Sequence, residues 1–213
     1  MADFLPILIL GGGGHSKVLM SALLSTNRFK ILGILDPQLS PGQKSLGQVV
    51  LGDDSLLLSP EYTKASVAIG VGFMNSPGPR QKLFEKIKEL KRKIPNVLHA
   101  QALIDSCIDM EEGVQVFAGA VIQPDCKIAS NVIINTGAIV EHDCHIGPHS
   151  HIAPGAVLGG GVTIGTGSLI GIGARVLPGI HIGSRVVVGA GAVVTKNIED
   201  DLTVTGMPAK NHH

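Results

Sequence analysis

Glu141-His142-Asp143, near the middle of the chain, has residue types and spacing suited to moving a proton. An imidazole with a pKa near ~6.5 accepts a proton at neutral pH. A carboxylate beside it, here Asp143, orients the ring or raises its basicity. A reaction in which a nucleophile sheds a proton as it forms a bond needs such a base. A plain surface histidine in a turn is the alternative reading. His145, His149 and His151 crowd the same stretch, and clustered histidines are also the raw material of a zinc site.

A second candidate lies near the N terminus. Phe4 to Leu10 reads as a buried strand, Gly11-Gly12-Gly13-Gly14-His15-Ser16 follows at once, and Lys17 to Ser25 has helical character. A strand, a glycine turn and a helix start present bare backbone amides and a helix dipole to an anion. The spacing Gly11-x-Gly13-x-x-Ser16 fits the dinucleotide fingerprint only in part, and a plain tight turn reads equally well. Asp36 closes the next strand, Phe29 to Leu35. An acid there suits a ribose hydroxyl, or a solvated turn before Pro37.

The proton-moving triplet is embedded in a stretch that repeats every six residues. Starting at Leu98 the stops are Ile104, Met110, Val116, Ile122, Ile128, Ile134, Val140, Ile146, Ile152, Leu158, Ile164, Ile170, Val176, Ile182 and Val188, all aliphatic or Met. Four residues after each stop comes a small or apolar residue, as at Ala138, Cys144, Ser150 and Ala156. Glycine often follows the aliphatic directly, as in Ile146-Gly147 and Leu158-Gly159, where it would permit a tight turn. A period of six fits neither a helix nor simple strand alternation. It suits a parallel β-helix, one short strand and a corner per hexad, with three hexads to a triangular coil. Residues eighteen apart then stack at the ~4.8 Å strand spacing. His142, second after the interior Val140, falls at a corner.

The first 96 residues read as a small α/β domain. Its further elements are a short strand at Gln48 to Leu51, a small helix from Asp53, a strand at Val67 to Val71 and an amphipathic helix from Arg80 to Lys93. That helix buries Leu83, Phe84, Ile87 and Leu90; its basic residues read as a solvated face, and Pro95 ends it. Residues 97–213 form the β-helix, and Thr195 to Lys210 reads as its cap. His212-His213 reads as the stub of a purification tag and is set aside.

The 17 basic and 17 acidic residues cancel, which favours neither nucleic acid nor an anionic membrane as partner. The apolar run Phe4 to Leu10 is too short to span a bilayer and lacks the features of a signal peptide, so the expected location is the cytoplasm. Cys107, Cys126 and Cys144 do not form a disulfide framework; the last two occupy the small register eighteen apart and read as buried thiols.

The two halves together resemble the NeuD/PglD type of sugar acetyltransferases, hexapeptide-repeat enzymes with a left-handed β-helix. The most telling stretch, Asn135-Thr136 through Glu141-His142-Asp143-Cys144 to Ile146-Gly147, is similar to the family's N-T-x-x-x-x-E-H-[DE]-C-x-I-G segment. Gly70-x-Gly72 with Asn75 and Arg80 is similar to its third nucleotide-contacting loop, longer and proline-rich here, and Gly206-Met207-Pro208-Ala209-Lys210 to its G-x-P-A-K ending. The resemblance implies that His142 is the general base and Asp143 its helper, where many members carry Glu. It implies that His151, Ile172 and Ala190 line the acetyl-CoA site, with Ile172 and Ala190 eighteen apart on one edge. It implies that Gly13, Gly14, His15, Asp36 and Gly70 hold a nucleotide-linked sugar, and that a homotrimer places active sites between subunits.

The activity so implied is N-acetylation of a nucleotide-activated 4-amino-4,6-dideoxy sugar for surface polysaccharide or glycan assembly, by direct attack in a ternary complex. No Ser or Cys stands out as an acyl-enzyme nucleophile. The rivals are O-acetylation of sialic acid or a related sugar, a zinc-dependent hydratase of the γ-carbonic-anhydrase type, and a non-catalytic nucleotide-sugar-binding protein.

Overall fold

The structure is a computed structural model that describes residues 4–73 and 78–211. Asn75, Met74 and the two terminal histidines lie outside the described residues. The described residues form two compact units, one up to Gly72 together with Gly78–Ala100, the other comprising Phe73 and the residues from Gln101 on.

In the first unit, strands β1 (Leu5–Leu10), β2 (Phe29–Leu35), β3 (Lys44–Ser45), β4 (Gln48–Gly52) and β5 (Ser66–Ile69) form one sheet in the order β3-β4-β2-β1-β5. Helix α1 (Gly14–Ser25) links β1 to β2, and α2 (Gly78–Glu89) follows β5. β1 pairs in parallel with both β2 and β5. Its last four residues are all buried, as expected of a central parallel strand covered on both faces. Leu8 and Leu10 pack with Leu35, Val67 and Ile69 beneath Phe84 and Ile87 of α2. Ile7 and Ile9 point the opposite way and are also fully buried, while α1 buries Leu19, Met20 and Leu23.

α2 is shorter than the sequence pattern predicts. Lys91 adopts a left-handed conformation (φ 53°), its amide donating to Lys88 and that of Arg92 to Ile87, which closes the helix in a Schellman motif before Pro95. Two of the basic residues expected on a solvated face do other work. Arg80 is 1% exposed and donates to the carbonyls of Ile69 and Val71, at 3.1 and 2.9 Å. Arg92 donates to the carbonyls of Leu57, Tyr62 and Ala65, tying the short 3-10 turns Asp54–Leu58 and Pro60–Tyr62 to the sheet. Carbonyls left over at strand and turn ends need donors, and a guanidinium supplies several at once.

The second unit turns the hexads into coils. Each aliphatic stop is the second residue of a two-residue strand, as in Ile139–Val140, His145–Ile146, His151–Ile152 and Val157–Leu158. Strands pair in parallel with those eighteen residues away, Ile139 with Val121 and Val157, His145 with Lys127 and Thr163. The aliphatics fill the prism; Val140, Ile152, Leu158 and Ile170 are 0% exposed. The outward residues differ by face: Leu103, Val121, Ile139, Val157, Arg175 and Val193 line one, Asp109, Lys127, His145, Thr163 and His181 another.

The glycines have two roles, only one of them a turn. Those directly after the aliphatic lie where coils nearly touch: a Cβ on Gly147 would meet the Gly165 carbonyl carbon at 2.8 Å, and one on Gly171 the Val188 oxygen at 2.4 Å. The left-handed corner residue comes two positions later, as at Gly137, Gly155, Gly161 and Gly173, with φ between 66° and 69°. Asp143 (φ 60°) and His149 (φ 62°) occupy that corner position too.

The small register closes the corners. Ser150 and Ser168 donate to the carbonyls of Gly165 and Gly183, at 2.8 and 2.7 Å; Cys126 and Cys144 do the same to Glu141 and Gly159, at 3.1 and 3.3 Å. All three cysteines are free thiols. At the C-terminal end Val187 pairs with Thr203, and Thr203–Thr205 pairs antiparallel with Lys210–Asn211. Among the described residues no helix is long and apolar enough to cross a membrane.

Candidate active site

His142 sits at the corner between the strands Ile139–Val140 and His145–Ile146. Val140, anchored inside the prism, fixes the backbone on one side; the buried Cys144 fixes it on the other. Between these anchors the His142 side chain is 62% exposed, with Nδ1 2.7 Å from Oδ2 of Asp143. The shorter carboxylate therefore reaches the ring. Asp143 takes the left-handed corner position, which Asp tolerates better than most residues because of its short polar side chain. The His142 pKa is raised above its ordinary value, chiefly by this hydrogen bond and then by the nearby charges of Asp143 and Glu141. With Nδ1–H donated to the carboxylate, Nε2 holds the lone pair that takes a proton.

A residue that sequence reasoning missed completes this corner. Gly160 lies one coil on, and a Cβ there would meet Cε1 and Nε2 of His142 at 2.6 Å. The Gly161 amide donates to the His142 carbonyl at 2.8 Å, locking the two coils together beneath the ring. The eighteen-residue stacking rule contains the signal, since 142 plus 18 is 160.

His151 is placed differently, at 8% exposure. Asn135 contacts its Nε2 at 3.0 Å. The side-chain oxygen Oδ1 of Asn135 accepts from the Thr136 backbone amide at 2.8 Å, so its side-chain nitrogen Nδ2 donates and His151 Nε2 accepts. The Phe73 ring lies 5.8 Å from the His151 ring, tilted by 47°. Ile172 is 62% exposed and Ala190 is exposed as well. The Gly191 amide donates to the Ile172 carbonyl at 2.8 Å, so Ile172 and Ala190 are neighbours on successive coils. His145 is exposed, with Nδ1 3.1 Å from the Asp143 carbonyl oxygen, and His149 contacts the buried Asn131 at 2.9 Å. Among the described residues no group of three His, Cys, Asp or Glu side chains is arranged to hold a metal ion.

In the α/β unit, the chain runs from β1 outward to β2 and β4, then returns to place β5 on the other side of β1. The carboxyl end of β1 is thus the switch point of the sheet, where α/β folds bind ligands. Three of the predicted elements converge there. Asp36 at the end of β2 accepts from the Gly12 amide at 2.7 Å through Oδ2 and from the Gln38 amide at 2.8 Å through Oδ1. It therefore braces the glycine turn, and each carboxylate oxygen retains a second acceptor site. Gly13 caps α1 and Gly14 begins it; a Cβ on either meets nothing within 4 Å. The His15 ring packs over Gly72, leaving 3.2 Å to a Cβ there. Gly70 donates to the Leu10 carbonyl at 2.6 Å, and a Cβ on it would meet the Gly11 carbonyl oxygen at 2.4 Å. Its bareness lets β5 close on the glycine turn. A cavity of about 250 Å³ opens beside these elements, lined among others by Gly11, Asp36, Gln38, Asp54 and Leu83.

The geometry has known counterparts. Residues 6–87 match the family model of the PglD N-terminal domain, and residues 126–160 and 161–196 match the bacterial transferase hexapeptide model. A perosamine N-acetyltransferase from Caulobacter crescentus superposes with a TM-score of 0.91 at 35% identity, covering 98% of this chain and 97% of that one. That protein is a His-to-Asn variant in complex with CoA and GDP-perosamine. The acetyltransferase domain of PglB from Neisseria gonorrhoeae, in complex with acetyl coenzyme A, gives 0.90 at 31% identity over 99% and 100%. WeeI from Acinetobacter baumannii gives 0.86 at 25% over 98% and 100%. No curated protein matches the sequence. The fold is thus that of the left-handed β-helix acyltransferases, preceded by a small α/β unit. The chain belongs to the NeuD/PglD-type family of sugar acetyltransferases.

Proposed function

We propose that the protein transfers an acetyl group from acetyl-CoA to the 4-amino group of a nucleotide-linked 4-amino-4,6-dideoxyhexose. The observation that carries this reading is the 2.7 Å pairing of His142 with Asp143 at an exposed corner of the β-helix. It gains support from the relatives bound to CoA and to GDP-perosamine, one of them altered at a histidine. The amine attacks the thioester carbonyl directly, Nε2 of His142 takes the N–H proton as the C–N bond forms, and the departing thiolate receives it. An amide and free CoA result. Asp143 keeps the proton on Nδ1 and stabilises the imidazolium.

Residues 1–96 serve as the nucleotide-sugar-binding domain, with Gly13, Gly14, His15, Asp36 and Gly70 around the nucleotide. Residues 97–213 serve as the acetyltransferase domain, with His151, Ile172 and Ala190 along the coenzyme. A homotrimer accounts for the apolar outward ladder of Val121, Ile139 and Val157, since flat prism faces pack around a threefold axis. Free, stacked thiols suit the reducing cytoplasm.

The test is CoA release with acetyl-CoA and a panel of UDP-, GDP- and dTDP-linked 4-amino sugars. CMP-sialic acid and free sialic acid run beside them. Turnover of one 4-amino sugar, lost in His142→Ala, is the expected result. Turnover with sialic acid alone overturns it in favour of O-acetylation, and silence with stoichiometric zinc in favour of a hydratase.

A further inference from the structure

The His142 side chain is 62% exposed, and an exposed imidazole ordinarily samples several rotamers. Two contacts restrict it here: Asp143 on the Nδ1 side and the bare α-carbon of Gly160 under the Cε1–Nε2 edge. The backbone does not demand glycine at position 160, whose φ lies outside the left-handed region that holds Gly161 at 69°. Nor does a close approach of coils demand it. A Cβ on Gly159 would meet Pro178 nitrogen at 2.7 Å, whereas the nearest atoms to a Cβ on Gly160 all belong to the His142 ring.

We propose that Gly160 is a positioning residue, its missing side chain forming the seat that holds the His142 ring against Asp143 with Nε2 aligned for the acceptor proton. The proposal rests on His142 being the base. Any side chain at 160 displaces the ring into solvent, which costs the fold little and the reaction much. A misplacement of ~1 Å in a reacting group costs about 10²-fold in rate.

The test is Gly160→Ala in the full chain, with three readouts. The first is the His142 ring titration followed by NMR without substrate. It should fall toward the unperturbed value of about 6.5 as the Asp143 contact is lost. The second is kinetics with the sugar accepted by the wild type. Here kcat should drop about ten- to a hundredfold while both KM values stay within about twofold. The third is the double variant with His142→Ala, which should be no slower than His142→Ala alone because both changes act on one group. Gly159→Ala is the contrast, expected to lower the melting temperature through its clash with Pro178 while leaving the titration unmoved. An unshifted His142 titration in Gly160→Ala overturns the proposal, as does an equal loss in the His142→Ala background. The titration needs no turnover, so it judges the seat independently of the proposed reaction.

Discussion

In the β-helix, His142 is held by residues one and eighteen positions away, Asp143 and Gly160. In the α/β unit, Asp36 reaches back 24 residues to the Gly12 amide, and Gly70 closes on Gly11 from a third strand. The first arrangement is a lattice: once the repeat is in register, every side chain at a given corner has a predetermined neighbour one coil away. The second is a convergence of three strand ends, set by the order in which strands join the sheet. Lattice sites tolerate change at the corner because the interior carries the stability, as exposed His142 above buried Val140 illustrates. Convergent sites share residues between binding and bracing, as Asp36 does.

The largest effect should separate chemistry from stability within the lattice. His142→Ala is expected to lower kcat by about 10²- to 10⁴-fold with the melting temperature unchanged, measured by CoA release and thermal unfolding. An unfolding midpoint that falls with activity would break the distinction between corner and interior. Its converse is Ile182→Ala, at a fully buried stop away from the corner. That change should cost about 2–5 kcal/mol in a denaturant titration and leave kcat of the folded enzyme intact.

Next in size is the convergent site. Asp36→Ala removes the acceptor for the Gly12 and Gln38 amides. It should raise KM for the sugar nucleotide about tenfold, leaving KM for acetyl-CoA alone, since hydrogen bonds to charged groups are worth about 1.5–3 kcal/mol. An equal change in both constants would show that the glycine turn does not act as a separate unit.

The smallest and most diagnostic effect is on pH dependence. His142 must be neutral to act as base, and Asp143 raises its pKa, so the acidic limb of kcat/KM should lie above about 6.5. Asp143→Asn removes the charge, and the limb should move to lower pH while the plateau falls on the order of tenfold. Asp143→Gly would lose the same assistance but relax the left-handed corner, so its melting temperature should hold or rise.

How much of this was legible in the sequence differs between the two regions for the same reason. The aliphatic stops, the stacking of Cys126 on Cys144 and the adjacency of Ile172 and Ala190 all follow from a period of six and a coil of eighteen. Gly160 was readable by the same rule. Glycine after the aliphatic misled, because close approach between coils and a left-handed turn both call for glycine and only coordinates tell them apart.

In the α/β unit, hydrophobic runs predicted the strands, and the glycine turn and Asp36 were visible as candidates. The sequence did not contain Arg80 turning inward to the carbonyls of Ile69 and Val71, or Lys91 ending α2 early. Basic residues on an amphipathic helix read as solvated until a chain end with spare carbonyls is brought beside them.

By itself, then, the sequence determined everything that periodicity can carry: the prism, its interior, its corners and the triplet placed on one of them. Tertiary structure alone decided which partners lie within 3 Å: that Asp143 reaches the His142 ring, that Asp36 braces Gly12, and that Gly70 packs on the turn. The physical reason is that a repeat converts sequence separation into spatial separation by one constant, whereas a sheet with a switch point joins strand ends whose separation along the chain follows no rule.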